Sequence, residues 1–317
     1  MAPARVDESG QEADLSTHTG TRELMQNALK AGTVIPAFNI PYLPMMEPVV
    51  RALRDTGNFG LIMVARLEWI KFESKGIREI RDTYEEVKDE RYTRLHLDHV
   101  PVIDEDQLRV PYLEELTQAV ELGYESIMVD GSRLPFEENV AATKQVVDMA
   151  HAAGVPVEAE LGAVMGHEEG PMPPYEELFA SGKGFTDPEE AKRFVEETGV
   201  DWLSVAIGSV HGAISAAKKS EKKVEARLSI EQLQAIRKAI DVPFVLHGGT
   251  GIRKAYIMDA IKNGIAKINV ATAIRQPYEA HRDDSVESAR EAVYEAMVTL
   301  LHEELELRNS AAIINPA

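Results

Sequence analysis

Three histidines in this sequence each lie at or just beyond the end of a short apolar run of the kind that forms a buried β-strand. His99 ends the first run, His211 follows the second by three residues, and His247 ends the third. Side chains at the ends of separate strands converge only if the strands are parallel and curl about a common axis, as in a (β/α)8 barrel. A catalytic Zn²⁺ takes three protein ligands and leaves a position open for substrate. The pattern therefore predicts one metal bound by these histidines; three unrelated histidines are the alternative.

Carboxylates lie at the ends of neighbouring apolar runs. Asp98 directly precedes His99, where it would act as a general base within reach of a substrate proton or as a carboxylate that orients a histidine ligand. Asp130 and Glu160 end two further runs. Because buried carboxylates are costly unless they are paired or bind a cation, we interpret both as ligands of the metal or of a second cation. A buried salt bridge is the alternative.

Glycines and small polar residues after the last two strand-like runs indicate a phosphate site. Gly249 and Thr250 follow the third histidine, and Asn269 and Thr272 come at the end of the next run. Barrels often bind phosphate between these two loops, through backbone N–H groups and a helix N-terminus. Gly212, next to the second histidine, is predicted to contribute to the same pocket.

Two further side chains bear on the chemistry. In a regular strand His96 and His99 would face opposite sides, so His96 is the weaker candidate ligand. Lys267 shares the parity of Asn269 and is predicted to point into the barrel. An inward lysine could form a Schiff base with a carbonyl substrate, a rival chemistry that would leave the three histidines unexplained.

These side chains need a scaffold of alternating strands and helices, and the hydrophobic pattern predicts one. Strands are predicted at Val34–Ile40, Phe59–Arg66, Tyr92–His99, Ser126–Gly131, Val155–Gly162, Asp201–Gly208, Pro243–Gly249 and Ile265–Ala271. Helices are predicted at Met46–Asp55, Ile77–Lys88, Tyr112–Leu122, Glu137–Ala153, Pro188–Thr198, Ile230–Ile240 and Lys254–Asn263. Alternation through eight units is the signature of a barrel; an open doubly wound sheet is the alternative. We predict a single (β/α)8 TIM barrel domain over residues 19–317, preceded by a disordered polar leader at residues 1–18.

Two helices are predicted outside the repeating units. Thr21–Ala31 precedes the barrel, and a long C-terminal helix near Asp284–Leu307 would pack against the barrel wall or form a subunit interface. Two loops, Val100–Val110 and Ala163–Thr186, are longer than a barrel turn requires. Loops of this length are often active-site lids.

The composition excludes several classes of function. The formal net charge of −19 and the isoelectric point near 4.9 disfavour nucleic acid and anionic membrane as partners, since both require a basic face. The chain has no cysteine, so thiol catalysis and disulfides are excluded and a transition metal must use histidine and carboxylate ligands. No apolar run approaches the roughly 20 residues of a membrane span, and residues 1–18 lack the pattern of a secretion signal. A cytoplasmic location is predicted.

The ordered motifs resemble the class II, metal-dependent ketose-bisphosphate aldolases, closest to the tagatose-bisphosphate branch. The matching segments are Pro36–Ile40, His96–His99, Ile127–Asn139, Val157–Gly162, Ala206–Gly212, Val245–Gly251 and Lys267–Thr272. They follow the family order across roughly residues 20 to 280. The resemblance implies a TIM barrel that cleaves a ketose phosphate or bisphosphate reversibly, through a zinc-stabilised enediolate, to dihydroxyacetone phosphate or a similar fragment and an aldehyde.

The resemblance also implies roles for individual residues. His99, His211 and His247 would bind zinc or another divalent metal, Asp98 would transfer a proton, and Asp130 and Glu160 would line an alternate or second cation site. Glu168 or Glu169 would lie on a mobile acidic loop that assists proton transfer. The phosphate would be held by Gly212, Gly249, Thr250, Asn269 and Thr272, with Asn39 also at the substrate. A monovalent cation and a homodimer or homotetramer are further expectations.

The sequence departs from the family pattern after the second strand, where the usual small polar loop is replaced by Arg66-Leu67-Glu68-Trp69. We therefore predict that Arg66 contacts an acidic or otherwise unusual aldehyde portion. An aldolase acting on an acidic or non-phosphorylated ketose, a zinc-dependent barrel hydrolase and a non-catalytic barrel are the alternative functions.

Overall fold

The computed structural model describes residues 19–162, 175–209, 226–249 and 251–316, without the side chains of Tyr175 and Leu178. The predicted leader at residues 1–18 therefore lies outside the described residues, as do Glu168, Glu169, His211, Gly212 and Thr250. Within the described ranges, no helix is long and apolar enough to cross a membrane.

Eight parallel strands close into a barrel, with β1 hydrogen-bonded to both β2 and β8. The strands are β1 Ile35–Asn39, β2 Gly60–Ala65, β3 Thr93–Pro101, β4 Ser126–Asp130, β5 Val157–Leu161, β6 Trp202–Val205, β7 Phe244–Leu246 and β8 Ile265–Val270. Each lies within or close to a predicted strand. The (β/α)8 prediction is confirmed.

Helices surround the barrel. They are α1 Thr21–Ala31, α2 Met46–Asp55, α3 Arg66–Lys71, α4 Ile77–Val87, α5 Tyr112–Glu121, α6 Phe136–Ala152, α7 Tyr175–Ser181, α8 Pro188–Thr198, α9 Ile230–Ala239, α10 Lys254–Lys262, α11 Thr272–His281, α12 Val286–Thr299 and α13 Ala311–Ile314. A 3-10 turn, Leu43–Met45, precedes α2, and a π-helical segment, Leu300–Glu304, continues α12.

One end of the barrel is closed by the two ends of the described chain. Leu24 and Met25 of α1 are fully buried in a cluster that includes Ile35 at the start of β1 and Ile314 of α13. The Asn27 side chain donates to the carbonyl of Ile314 over 3.1 Å. The amino-terminal face of the barrel is therefore sealed by apolar side chains, which leaves the chemistry to the opposite rim.

The main differences from the predicted elements lie at that rim. The second strand ends at Ala65, and Arg66 begins helix α3 instead of closing the strand. Glu68, at the third position of α3, accepts a hydrogen bond from the amide of Ala65 over 2.8 Å and so caps the helix. Helix α11 was not predicted; it begins directly after β8.

Candidate active site

A β-bulge near the end of β3 sets the orientation of Asp98 and His99. Leu97 pairs with Ile127 of β4 and Val100 with Val129, so β3 holds one residue more than its partner between these pairs. His99 has a positive φ of 33°, which is uncommon for a residue other than glycine. Because the bulge interrupts the regular alternation of side chains, the expectation that His96 and His99 face opposite sides of the strand does not hold here.

Two side-chain amides hold Asp98 in place from the neighbouring strands. Asn269 donates to Oδ1 over 3.0 Å, and Asn39 donates to Oδ2 over 3.1 Å. Burial raises the pKa of Asp98, but the charges of His99, Lys267 and His247 outweigh burial and hold this pKa at about 2. Asp98 is therefore ionised at neutral pH, with both oxygens oriented by neutral donors.

The predicted metal ligands that the structure describes lie together beside Asp98. The rings of His99 and His247 have centroids 4.4 Å apart. One ring nitrogen of each histidine and one carboxylate oxygen of Asp98 all lie within 4.8 Å of one another. His99 forms a second group of this kind with Asp130 and Glu160. Nitrogen and oxygen donors at this spacing suit Zn²⁺ and other divalent metals.

The charge around the two imidazoles favours a cation. His99 Nδ1 lies 3.2 Å from Asp130 Oδ2, and His247 Nδ1 lies 3.2 Å from Glu160 Oε2. Burial lowers the pKa of His99, but the carboxylates of Asp98 and Asp130 outweigh it and raise the pKa to about 10. The described residues therefore fit a divalent cation by donor type, spacing and charge.

A buried ionic cluster lies beneath this group, inside the barrel. Glu158 accepts from Lys267 over 2.8 Å and from Trp202 over 2.7 Å, and His247 Nε2 lies 2.9 Å from its other oxygen. Burial raises the pKa of Glu158, but Lys267 and the hydrogen bond with His247 hold it well below its usual value. Lys267 is fully buried and bound to Glu158. A Schiff base would require this ammonium group to lose its proton and leave its ion pair.

His96 belongs to the same buried cluster. Its Nδ1 lies 2.8 Å from Ser126 Oγ, and its Nε2 lies 3.6 Å from Glu158. Burial lowers the pKa of His96 to about 3, with Lys267 acting in the same direction. His96 is therefore a neutral part of the barrel interior.

The phosphate residues that the structure describes follow β7 and β8, as predicted. Gly249 packs so closely against Ile268 that a Cβ atom would lie 2.9 Å from its Cδ1. Thr272 is the first residue of α11, so backbone N–H groups of this helix start lie at the rim. Asn269 Oδ1 is buried and accepts no hydrogen bond from the described residues.

Arg66 lies at the tip of β2, as expected, but its charge is already compensated. Its Nε lies 3.0 Å from both carboxylate oxygens of Glu115 on α5, and its NH1 lies 4.0 Å from Asp104. Asp104 lies in the loop after β3, whose turn is closed by a bridge between Ile103 and Arg109. The sequence gives no sign of this ion pair, because Arg66 and Glu115 are 49 residues apart.

Sequence reasoning also missed Glu68 as a site residue. It is 7% exposed and accepts a hydrogen bond from Asn39 over 3.3 Å. Burial raises the pKa of Glu68 to about 8, opposed by the hydrogen bond from Ala65. A glutamate two residues after the end of the predicted strand at Arg66 was the available signal, since a carboxylate in the first turn after a strand can cap a helix.

A closed (β/α)8 barrel with histidines and carboxylates gathered at its carboxyl rim defines a barrel enzyme with a candidate metal centre. Residues 19–312 match the model of the family "Fructose-bisphosphate aldolase class-II". A Bacillus subtilis (strain 168) protein named "Probable fructose-bisphosphate aldolase" is 32% identical over 296 residues, which cover 89% of this chain and 95% of that protein.

Solved structures agree with this match. The crystal structure of the YdjI aldolase from Escherichia coli K12 is 28% identical, covers 88% of this chain and 94% of its own, and has a TM-score of 0.68. A structure from Coccidioides immitis is 26% identical, covers 92% of this chain and 97% of its own, and has a TM-score of 0.73. The chain belongs to the class-II fructose-bisphosphate aldolase family. It is thus an aldolase, an enzyme of the aldehyde-lyase class.

Proposed function

We propose that this aldolase cleaves a ketose phosphate or bisphosphate reversibly to dihydroxyacetone phosphate, or a similar fragment, and an aldehyde. The observation that carries the proposal is the position of Asp98. Its carboxylate is ionised, held by Asn39 and Asn269, and adjacent to the paired imidazoles of His99 and His247. A base fixed beside a candidate metal centre is the arrangement that carbon–carbon bond cleavage next to a ketone requires.

The metal proposed for this site is Zn²⁺ or another divalent cation. His99, His247 and His211 would hold it, with Asp130 and Glu160 available for an alternate or second position. The cation would supply Lewis acidity that stabilises negative charge on the enediolate oxygen. Support comes from the donor atoms of His99 and His247 within 4.8 Å of one another and of Asp98.

The protein side chains would divide the proton transfers between them. Asp98 would take the proton from the hydroxyl group that becomes the aldehyde oxygen, since its low pKa keeps it available as an acceptor. Glu168 or Glu169 would exchange the proton at the carbon atom of the dihydroxyacetone-phosphate fragment. Asn269, whose Oδ1 accepts no hydrogen bond from the described residues, would receive one from a substrate hydroxyl.

The phosphate would bind between the loops after β7 and β8, with a monovalent cation nearby. The start of α11 at Thr272 supports this position, because N–H groups at a helix start favour anions. The close packing of Gly249 on Ile268 keeps that loop free of side-chain bulk. Gly212, Thr250 and Asn269 complete the proposed site. A phosphate held here would supply binding energy remote from the breaking bond.

The test is a panel of phosphorylated and unphosphorylated ketoses, assayed for aldehyde release by the zinc-loaded enzyme. We expect release from a ketose phosphate, loss with EDTA, recovery with Zn²⁺, and no borohydride trapping of Lys267. Asp98→Asn should lower kcat by about 10²- to 10⁴-fold, the usual contribution of a general base, with unchanged zinc content. An Asp98→Asn enzyme that cleaves at the wild-type rate would refute the assigned role.

Arg66 leaves a second substrate class open, that of an acidic aldehyde portion. Because Glu115 already neutralises its guanidinium, contact with an acidic aldehyde would require the Arg66 guanidinium to bind Glu115 and the substrate at the same time. If Arg66 makes that contact, Arg66→Ala should lower kcat/KM for acidic aldehydes by about tenfold or more relative to neutral ones. An equal fall in kcat/KM for acidic and neutral aldehydes would mean that Arg66 stabilises the loop after β3 and does not contact the substrate.

We further propose a cytoplasmic enzyme that forms a homodimer or homotetramer, with residues 19–317 as one domain and residues 1–18 as a disordered leader. Val286, 44% exposed at the start of α12, supports a subunit contact on this face. Light scattering after size-exclusion chromatography measures the assembly, and limited proteolysis of the full chain tests the leader.

A further inference from the structure

Glu68 is a buried carboxyl group at the rim that the reaction described above does not use. It lies on α3, in the segment where this chain carries Arg66-Leu67-Glu68-Trp69 instead of a small polar loop. Its Oε2 accepts from the Ala65 amide over 2.8 Å and from Asn39 Nδ2 over 3.3 Å. A buried carboxyl at this position is costly unless its hydrogen bonds repay the burial.

Asn39 connects Glu68 to Asp98. The same Nδ2 atom that donates to Glu68 also donates to Asp98 Oδ2 over 3.1 Å. A side-chain amide can rotate by half a turn and present its oxygen where its nitrogen was. Two acceptors that converge on Nδ2 select the orientation in which the nitrogen faces Asp98. Among the described residues, only Asp98 would then select this orientation if Glu68 were absent.

We propose that Glu68 is a positioning residue, which fixes the carboxamide of Asn39 so that its N–H group holds Asp98 for proton transfer. The inference rests on the proposed function, because it assigns a purpose to the orientation of the same base. Glu68 acts through Asn39, and its own carboxyl is not placed on the substrate.

The protonation of Glu68 suits this task. Asp98 raises and His99 lowers the pKa of Glu68 through their charges, while its hydrogen-bond donors, Asn39 and the Ala65 amide, are neutral. Burial favours the neutral carboxylic acid, whose carbonyl oxygen still accepts both N–H groups. A neutral group also avoids placing a second negative charge beside Asp98.

Two substitutions separate the acceptor from the bulk of the side chain. Glu68→Gln keeps a carbonyl acceptor of the same shape as the neutral acid, whereas Glu68→Met keeps the length and removes the acceptor. We expect Glu68→Met to lower kcat for ketose cleavage by about 10- to 100-fold, as for other partners that orient an active-site group, with little change in KM. Glu68→Gln should restore most of kcat. Glu86→Met, on the exposed face of α4, is the matched control.

A second readout separates positioning of Asp98 from general damage. Zinc-loaded enzyme with dihydroxyacetone phosphate alone in D₂O should exchange a carbon-bound proton for deuterium, measured by NMR. This exchange needs no aldehyde and, in the proposed division of labour, does not use Asp98. Glu68→Met should therefore lose cleavage but keep exchange and zinc content near the wild-type values, as Asp98→Asn should.

The outcomes are distinct. If the wild-type enzyme neither cleaves any ketose phosphate nor exchanges the proton, the proposed function fails before Glu68 is tested. If the wild type does both and Glu68→Met behaves as Glu86→Met does, the positioning role is overturned. Equal loss of cleavage and exchange, or failure of Glu68→Gln to restore cleavage, also overturns it, because the defect is then not specific to the orientation of Asp98.

Discussion

At the level of single residues, the rim and the interior of the barrel form two layers of charge with different tasks. The upper layer contains Asp98, His99 and His247, which face the mouth. The lower layer contains Lys267 and Glu158, fully buried and bound to each other. His247 connects the layers through its 2.9 Å contact with Glu158. The buried pair thus holds a candidate metal ligand from behind.

Removal of Lys267 should destabilise the fold. Lys267→Met leaves the Glu158 carboxylate buried without its cation, and breaking such a pair typically costs about 3–5 kcal/mol. Chemical denaturation measures the free energy of unfolding, and Lys262→Met, at a side chain that is 70% exposed, is the control. The double variant with Glu158→Gln should recover part of the loss. Equal stability of the Lys267 and Lys262 variants would contradict the prediction.

Glu68 should make the stability of the metal-free chain depend on pH. Its pKa is about 8 in the folded chain against the ordinary glutamate value of 4.5, so between these pH values the folded state retains a proton that the unfolded state has lost. Stability therefore falls as pH rises through this range and levels off above it. Glu68→Gln has no such ionisable group, so its free energy of unfolding should not fall in this way. Relative to the wild type, it should rise by on the order of a few kcal/mol between pH 5 and pH 8.

Denaturation at several pH values in EDTA checks this difference. Glu86→Gln, an exposed site on α4, should follow the wild type at every pH. If the difference in the free energy of unfolding between wild type and Glu68→Gln did not change with pH, Glu68 would ionise in the folded chain as it does in the unfolded one.

At the level of elements, the hydrophobic pattern predicted the eight strands, because short apolar runs separated by helical patterns follow from local chemistry. It did not predict the bulge in β3, since one extra residue leaves no trace in an apolar pattern. The short helix α3 was missed although Glu68 lies at a capping position, and the ion pair of Arg66 with Glu115 was missed because it joins positions 49 residues apart. The residue types of the candidate site were readable from the sequence, but the contacts that orient them depend on the closed barrel.

The loop after β3 owes its shape to Asp104. Its Oδ1 accepts from the amides of Asp106 over 3.0 Å and Leu108 over 2.8 Å. Asp104→Ala removes both bonds, each worth about 1 kcal/mol, so we expect amide exchange of Leu108 to quicken by about tenfold or more. Hydrogen–deuterium exchange measures it, and Asp106→Ala in the same turn is the control. Unchanged exchange in Asp104→Ala would mean that the bridge between Ile103 and Arg109 alone closes the loop.

At the level of the whole molecule, the candidate metal site joins several strands of one closed sheet. His99 and Asp98 come from β3, Asp130 from β4, Glu160 from β5, and His247 follows β7. A ligand that binds only the folded arrangement stabilises the whole barrel by mass action, by about 2.7 kcal/mol at a concentration 100 times its Kd.

Metal removal should therefore lower the Tm. We expect Zn²⁺ to raise the Tm of the EDTA-treated enzyme and His247→Ala to abolish most of that rise. Scanning calorimetry at fixed protein concentration gives both values. A rise of the same size in His247→Ala would place the bound metal elsewhere.

The seal at the amino-terminal face has a practical consequence. Because α1 and α13 meet there, through Asn27 and Ile314, the first and last described helices lie side by side at the end opposite the reaction mouth. A short peptide linker could join them, and new termini could then be opened in a surface turn. The aldolase is thus a suitable scaffold for circular permutation, and fusion partners attached at this end would leave substrate entry unobstructed.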